Sequence, residues 1–185
     1  MKRGDRFIRA QRITRAARLV RPGSRVLDIG CHDGELFRVI GPALREGVGI
    51  DAGLAGPLVG SNYTLRPGHF PEDAPDEAGT FDAVCALAVL EHVEASERAG
   101  FAGAAARLLR AGGELILTVP APTVDRLLDV MIGIGILDGM EADQHHGFQI
   151  AEVEPLFSNA GLALERHERF QLGLNHLMLF RKPSE

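Results

Sequence analysis

From Arg25 onward the chain alternates short apolar runs with segments of helical spacing, and that alternation restricts the fold more than any other feature. Arg25-Val26-Leu27-Asp28-Ile29, Gly47-Val48-Gly49-Ile50-Asp51, Tyr63-Thr64-Leu65, Phe81 to Leu87 and Glu114 to Val119 read as strands. Glu35 to Ile40 and Ser96 to Leu109 carry helical patterns, the second closed by Arg110-Ala111-Gly112-Gly113, a helix-stop signal. Pro67 to Gly79, rich in proline, glycine and acids, reads as loop. A last helix is expected near Ala151 to Asn159, ending at Gly161, followed by two consecutive strands at about Ala163 to Phe170 and His176 to Arg181. Strands joined through helices pair in parallel, and a continuous apolar strand such as Phe81 to Leu87 belongs mid-sheet with both faces covered. The expected class is α/β: a doubly wound, mostly parallel sheet of seven strands with an antiparallel last strand.

With 185 residues, 45% of them hydrophobic, the chain can close one core and little more. The expected organisation is a basic N-terminal helix over residues 1–23 packed on one domain over 24–185, with a lid-like insertion at about 120–148. Charge is divided unevenly: the first 25 residues hold nine Lys or Arg against one acid, the remainder 11 against 24. Within the arm, Arg3, Arg6, Arg9, Arg12, Arg15, Arg18 and Arg21 recur every third residue. A three-residue step turns a helix by about 300°, so these arginines form no single-sided stripe. The arm therefore reads as a solvated helix at the domain edge, with Ile8, Ile13, Ala16, Ala17 and Val20 as a short apolar face. An acidic partner or substrate for it stays open. Nucleic acid is disfavoured by the acidic remainder and the lack of an aromatic ladder.

The longest greasy run, Leu127 to Leu137, is broken by Asp129 and falls short of the roughly 20 residues that span a bilayer. No apolar leader follows Met1, so a cytoplasmic protein without membrane contact is expected. Cys31 and Cys85 are too few for a disulfide framework or a zinc site, and reduced thiols in strand ends are expected.

The loop Leu27-Asp28-Ile29-Gly30-Cys31-His32-Asp33-Gly34 falls where ligands bind in such sheets, at the carboxyl end of the first strand. Its glycines let the backbone turn and approach a ligand. Asp28, Asp33 and Glu35 crowd carboxylates there, with no cation before Arg38, which would repel the pyrophosphate of a dinucleotide. The G-x-G-x-x-G pattern is absent as well. A cationic ligand fits better. S-adenosylmethionine brings an ammonium, a sulfonium and a ribose, and Asp51, 21 residues after Gly30, stands where a ribose-accepting acid belongs.

Taken in order, VLDIGCHDG, GIDAG, FDAVCALAVLEHV and LLRAGGELILTVP resemble the class I S-adenosylmethionine-dependent methyltransferases, particularly the type 11 and type 23 methyltransferase-domain group. The resemblance runs from about Arg25 to Pro120 and continues more weakly in HHGFQIAEVEPLFSNAGL. It implies a Rossmann-like sheet and S-adenosylmethionine as cofactor. It also implies that Asp28, Gly30, Cys31, His32 and Gly34 hold the methionine end, Asp51 with Ala52 the ribose, His69-Phe70 the adenine, and Leu87 the floor. Two positions depart from the family pattern: His32 stands where a glycine is usual, and His69 where an aspartate is usual.

Methyl transfer needs alignment, exclusion of water and at most a base. For a hydroxyl acceptor the candidate bases are His145 and His146 in the insertion, with Glu91 and His92 after the fourth strand as further candidates. His167 and His176 read as ordinary sheet residues. No His-x-x-x-His or His-x-His spacing appears, and no metal is expected. The apolar stretch of Val124 to Gly139 either packs on the core, lines an acceptor pocket or forms a homodimer contact. The expected function is S-adenosylmethionine-dependent methyl transfer to a small molecule, with oxygen favoured slightly over nitrogen or carbon. The alternative is a non-catalytic protein of the same fold that binds cofactor or a partner.

Overall fold

The computed structural model describes residues 3–121 and 149–184. One mixed sheet organises them, in the order β3-β4-β2-β1-β5-β6-β8-β7. The strands are β1 (Arg25–Ile29), β2 (Glu46–Asp51), β3 (Leu58–Val59), β4 (Tyr63–Pro67), β5 (Phe81–Leu87), β6 (Leu109–Pro120), β7 (Ala163–Phe170) and β8 (Asn175–Arg181). β4, β2, β1, β5 and β6 run parallel, while β8 pairs antiparallel with both β6 and β7. The sheet thus has eight strands rather than seven. The additional one is the two-residue β3, folded back on Leu65 and Thr64 of β4.

Alternation along the strands builds a core on each face. On one face Leu27, Ile50, Val84, Leu117 and Phe180 pack beneath α3 (Arg98–Leu108) and α4 (Val153–Asn159). On the other, Val26, Cys85, Ile116 and Leu177 meet α1 (Arg3–Ala17) and α2 (Glu35–Ile40) through Ile13, Ala16, Leu36 and Phe37. α1 is therefore a working layer of the sandwich rather than a solvated helix at its edge. It packs against α2, β5 and β6. Of its expected apolar face, Ile13, Ala16 and Val20 are buried and Ile8 is exposed.

The expected helix stop at Ala111-Gly112-Gly113 lies inside a strand instead. α3 ends at Leu108, Leu109 already has extended dihedrals, and Gly112 takes a φ of 70° within β6. The register of β6 on β5 shifts between Phe81 and Ala83, and Arg110 donates to Asp82 at 2.6 Å across this irregularity. The glycines serve a strand bend here. Cys31 likewise lies beyond β1, in the loop, and not in a strand end.

β1 connects through α2 to β2 on one side, and the chain later returns to place β5 on the other side of β1. The strand order reverses between β1 and β5, and the crevice at their carboxyl ends is where such sheets bind ligands. Register keeps that rim level: Ile29 pairs with Ile50 of β2 and with Ala86 of β5.

Candidate functional site

The glycine loop is pinned before any ligand arrives. Gly30 and Cys31 both donate to the Ile50 carbonyl, at 2.8 and 3.2 Å, so the penultimate residue of β2 holds the turn out of β1. Gly30 has a φ of 70°, and a Cβ there would lie 2.6 Å from Cγ2 of Val89. Only glycine satisfies both the dihedral and the contact. His32 also adopts a left-handed backbone, with φ of 49°. Its ring is exposed and its amide donates to Asp51 Oδ2 at 2.7 Å.

Asp51 closes the loop from the end of β2. Its second oxygen accepts from the Gly53 amide at 2.8 Å. Each carboxylate oxygen keeps a lone pair for a further donor, such as a sugar hydroxyl.

The carboxylates around the loop are not alike. Asp33 is paired with Arg9 at 2.5 Å and Arg38 at 2.8 Å, and Glu35 with Arg9 at 3.0 Å. Burial works to raise the Asp33 pKa, but the hydrogen bonds from Arg38 and Arg9 outweigh it and hold the group at about 2. Cations thus reach the loop well before Arg38, carried in by α1, and Asp33 and Glu35 are neutralised. Asp28 differs. It is 4% exposed, and burial, then the negative charge of Asp51, push its pKa up to about 8 against a partial offset from Arg9. A carboxyl that sits at the strand-order reversal and is costly to ionise is stabilised by an incoming cation.

A cavity of about 180 Å³ opens at this point. Its walls include Asp28, Gly30, Cys31, His32 and Leu87, all expected site residues, together with Arg9, Arg12, Ile13 and Ala88. Gly34 stands behind the wall, capping α2 with φ of 77°. Asp51 at the end of β2 with Ala52 just after it, and His69 and Phe70 after β4, lie outside the cavity, at the ends of the next strands along the rim. The His69 amide donates to Asp73 at 2.8 Å, and Phe70 packs edge-on against Phe101 at 4.9 Å. Cys31 turns its sulfur under β2, where a Cβ on Gly49 would meet it at 2.6 Å. Burial, then the charges of Asp28 and Asp51, raise its thiol pKa, so it is a packing residue and not a nucleophile. His145 and His146 lie outside the described residues, as does the stretch from Val124 to Gly139.

The sequence reading missed Arg9 and Arg12. They are one turn apart on α1, and Arg12 stays close enough to Glu91 for opposite charge to offset part of its burial cost. Glu91 follows β5 in a 3-10 turn, is 2% exposed, and has no hydrogen-bond partner for Oε2. Burial lifts its pKa to about 7, against offsets from its own amide and from Arg12. The late histidines also meet: His167 Nε2 and His176 Nδ1 are 2.7 Å apart. Among the described residues, no group of three or more His, Cys, Asp or Glu is placed to hold a metal ion, and no helix is long and apolar enough to cross a membrane.

The residues present fit S-adenosylmethionine. Asp28 would meet the ammonium and Arg12 the carboxylate. Gly30 would allow close approach, and Asp51 would accept from the ribose. The cavity matches the amino-acid end of such a ligand, being smaller than the roughly 300 Å³ at which pockets for whole drug-sized molecules begin.

Known proteins resemble this chain in sequence and in fold. The ubiquinone biosynthesis O-methyltransferase of Xanthomonas axonopodis pv. citri (strain 306) is 30% identical over 164 residues, covering 81% of this chain and 67% of that protein. The methyltransferase partner in a complex with the Haloferax volcanii Trm112 methyltransferase activator shares the fold with a TM-score of 0.72 at 15% identity, over 97% of this chain and 94% of that one. An S-adenosylmethionine-dependent methyltransferase from Mesorhizobium loti gives a TM-score of 0.67 at 17% identity, over 91% and 95% of the two chains. A methyltransferase domain model matches residues 2–171. With the sheet order of class I S-adenosylmethionine-dependent methyltransferases and a family match across nearly its whole length, the chain belongs to the methyltransferase domain family.

Proposed function

We propose that this chain transfers a methyl group from S-adenosylmethionine to an oxygen of a small molecule. The observation that carries the reading is Asp28, a buried carboxyl at the strand-order reversal that lines the cavity with Gly30 and feels the charge of Arg9 only as a partial offset. An ammonium would be held there by the ionised carboxyl.

When bound, the cofactor supplies a methyl on a sulfonium, already activated toward displacement. The chain's own residues then have three tasks. The pinned loop and Asp51 fix the ligand's position, α1 with Arg9 and Arg12 covers it from water, and a base accepts the acceptor's proton. Glu91 is the favoured base among the described residues, because a carboxyl with a pKa near 7 is both ionised in part and able to take a proton at neutral pH. His145 and His146 remain proposed partners for that step. The O-methyltransferase relative supports oxygen as the methylated atom.

The alternative, a non-catalytic binding module, drew its support from His32 and His69. Both rings are exposed, and the His32 ring lies beside Arg9 at 3.3 Å, so neither fills the cavity. The deciding assay follows label from methyl-tritiated S-adenosylmethionine into a panel of phenols, alcohols and amines. Label in a hydroxylated acceptor is expected. Cofactor binding with no transfer to any compound in the panel favours the binding module.

A further inference from the structure

The two edges of the sheet differ. β3 closes one edge with two residues, whereas β7 leaves eight along the other, with no strand paired outside it among the described residues. An open edge of that length offers a row of backbone donors and acceptors to any other strand, and sheets commonly guard such edges with charged side chains. β7 carries Glu165, Arg166, Glu168 and Arg169 within five residues, all exposed or half-exposed.

About His167 the segment Leu164-Glu165-Arg166-His167-Glu168-Arg169-Phe170 is self-complementary. Narrow and wide pairs alternate along an antiparallel ladder, so two copies of one strand related by a two-fold axis must centre on a single residue that faces its own copy. With His167 at the centre, Arg166 faces Glu168 of the second copy, Glu165 faces Arg169, and Leu164 faces Phe170. Moving the centre to Arg166 sets Glu165 against His167 and Leu164 against Glu168. Moving it to Glu168 sets His167 against Arg169 and Arg166 against Phe170. The centre at His167 alone gives each acid a base.

The fold presents these groups for pairing. Arg166 pairs with Leu179 and Glu168 with Leu177 on the face of α1, while His167 pairs with Met178 on the opposite face. Directly opposed residues share a face, so Arg166 and Glu168 of two copies would form a ring of four alternating charges. Within one chain, Arg166 Nε donates to Glu168 Oε1 at 2.9 Å and its Nη2 reaches the same oxygen, so Glu168 Oε2 has no donor among the described residues. A guanidinium across the axis supplies one. The register irregularity of β7 falls between Leu164 and Arg166, at the end of such a ladder, so the three central pairs lie in regular strand while Glu165 keeps its bond from Arg181. β6 and β8 separate β7 from β5, so a partner on this edge leaves the cavity open.

We propose that β7 is a self-association edge, on which a second copy of this chain pairs antiparallel about a two-fold axis at His167 and joins two eight-stranded sheets into one. The same charges that disfavour strands of other sequence fit their own copy. This interface is separate from the methyl-transfer reading and stands or falls without it.

Sedimentation velocity on the full chain tests it. The wild-type protein is expected to pass from monomer to dimer as its concentration rises through the micromolar range at low salt, and to dissociate as salt is added, because charges at an exposed edge are screened. Arg166→Glu and Glu168→Arg each set like charges across the axis and should weaken the dimer about tenfold or more. Mixed together, the two variants oppose unlike charges at both positions and should form a heterodimer about as readily as the wild type forms its homodimer. Damage to the monomer would not be recovered by mixing. His167→Cys gives a second measurement that does not depend on charge. A residue facing its own copy across antiparallel strands lies within the Cα spacing of a disulfide, so this variant should become a covalent dimer with oxidised glutathione. Arg169→Cys, two residues from the axis, should not, and the native Cys31 and Cys85 are buried. A wild type that stays monomeric at low salt, a dimer indifferent to both charge reversals, mixed variants that stay apart, or equal cross-linking at the two cysteine positions overturns the inference.

Discussion

Arg9 of the N-terminal helix lies 2.5 Å from Asp33 in the glycine loop, joining the segment that precedes β1 in sequence to the one that follows it. The same guanidinium reaches Glu35 at 3.0 Å, so one side chain ties α1 over the mouth of the cavity. The cap is therefore held by charge at its ligand end and by Ile13, Ala16 and Val20 along its length.

Breaking the charged end should loosen the cap without unfolding it. Asp33 is half exposed, and exposed ion pairs contribute about 0–1 kcal/mol. Asp33→Asn is expected to raise the dissociation rate of S-adenosylhomocysteine about two- to fivefold in stopped-flow displacement, with little change in melting temperature. The wild-type rate should rise toward the variant's as salt is added. An identical rate for the two proteins at low salt contradicts the latch.

Asp28 couples cofactor binding to a proton. With its pKa pushed up to about 8, the free carboxyl is largely protonated at pH 7, and the ammonium of the ligand requires the ionised form. Binding should release a proton, so the calorimetric enthalpy at pH 7 should vary with the ionisation heat of the buffer, and affinity should climb from pH 6 to about 8 and then level. The sign for stability is opposite. The raised pKa makes the contribution of Asp28 complete below the unfolded value near 4 and lost as pH rises through about 8. Asp28→Asn should therefore melt higher than wild type at pH 8.5 while binding the cofactor poorly. Buffer-independent heats across the series contradict the assignment.

Asp51 is asked to do two things, and its replacement should reveal both. In Asp51→Ala the exposed amides of His32 and Gly53 exchange their acceptor for water, at a cost on the order of 1 kcal/mol in a urea titration. The protein should remain folded and bind S-adenosylmethionine more than tenfold more weakly. Normal affinity in the folded variant removes the ribose role.

Gly30 and Val89 form a pair suited to a double-mutant cycle. Gly30→Ala places a methyl 2.6 Å from Val89 Cγ2 and should cost about 1–3 kcal/mol from overpacking, besides the penalty for a left-handed alanine. Adding Val89→Ala should return the overpacking part and leave the dihedral part. Strict additivity of the two changes in denaturant melts contradicts this contact.

The strands were legible because a sheet buried on both faces writes itself as apolar runs, and β1, α2, β5 and β7 fall where the pattern puts them. Asp28, Gly30 and His32, singled out from the loop, and Leu87, singled out from the family resemblance, all line the cavity. Arg9 and Arg12 were not legible, since seven arginines at every third position hide which two face inward until the helix is docked. The glycines after Leu108 read as a helix stop because that is their commonest use, and only the register of β6 against β5 shows them inside a strand. The backbone of His32 was equally hidden, because the residue type that usually announces a left-handed turn is absent there.

The most direct measurement is a calorimetric titration of the wild-type protein with S-adenosylmethionine and S-adenosylhomocysteine, with NADH as the comparison ligand. The account predicts one-to-one binding of both sulfur ligands in the micromolar range and none of NADH. A folded sample that binds neither, or that prefers NADH, contradicts it.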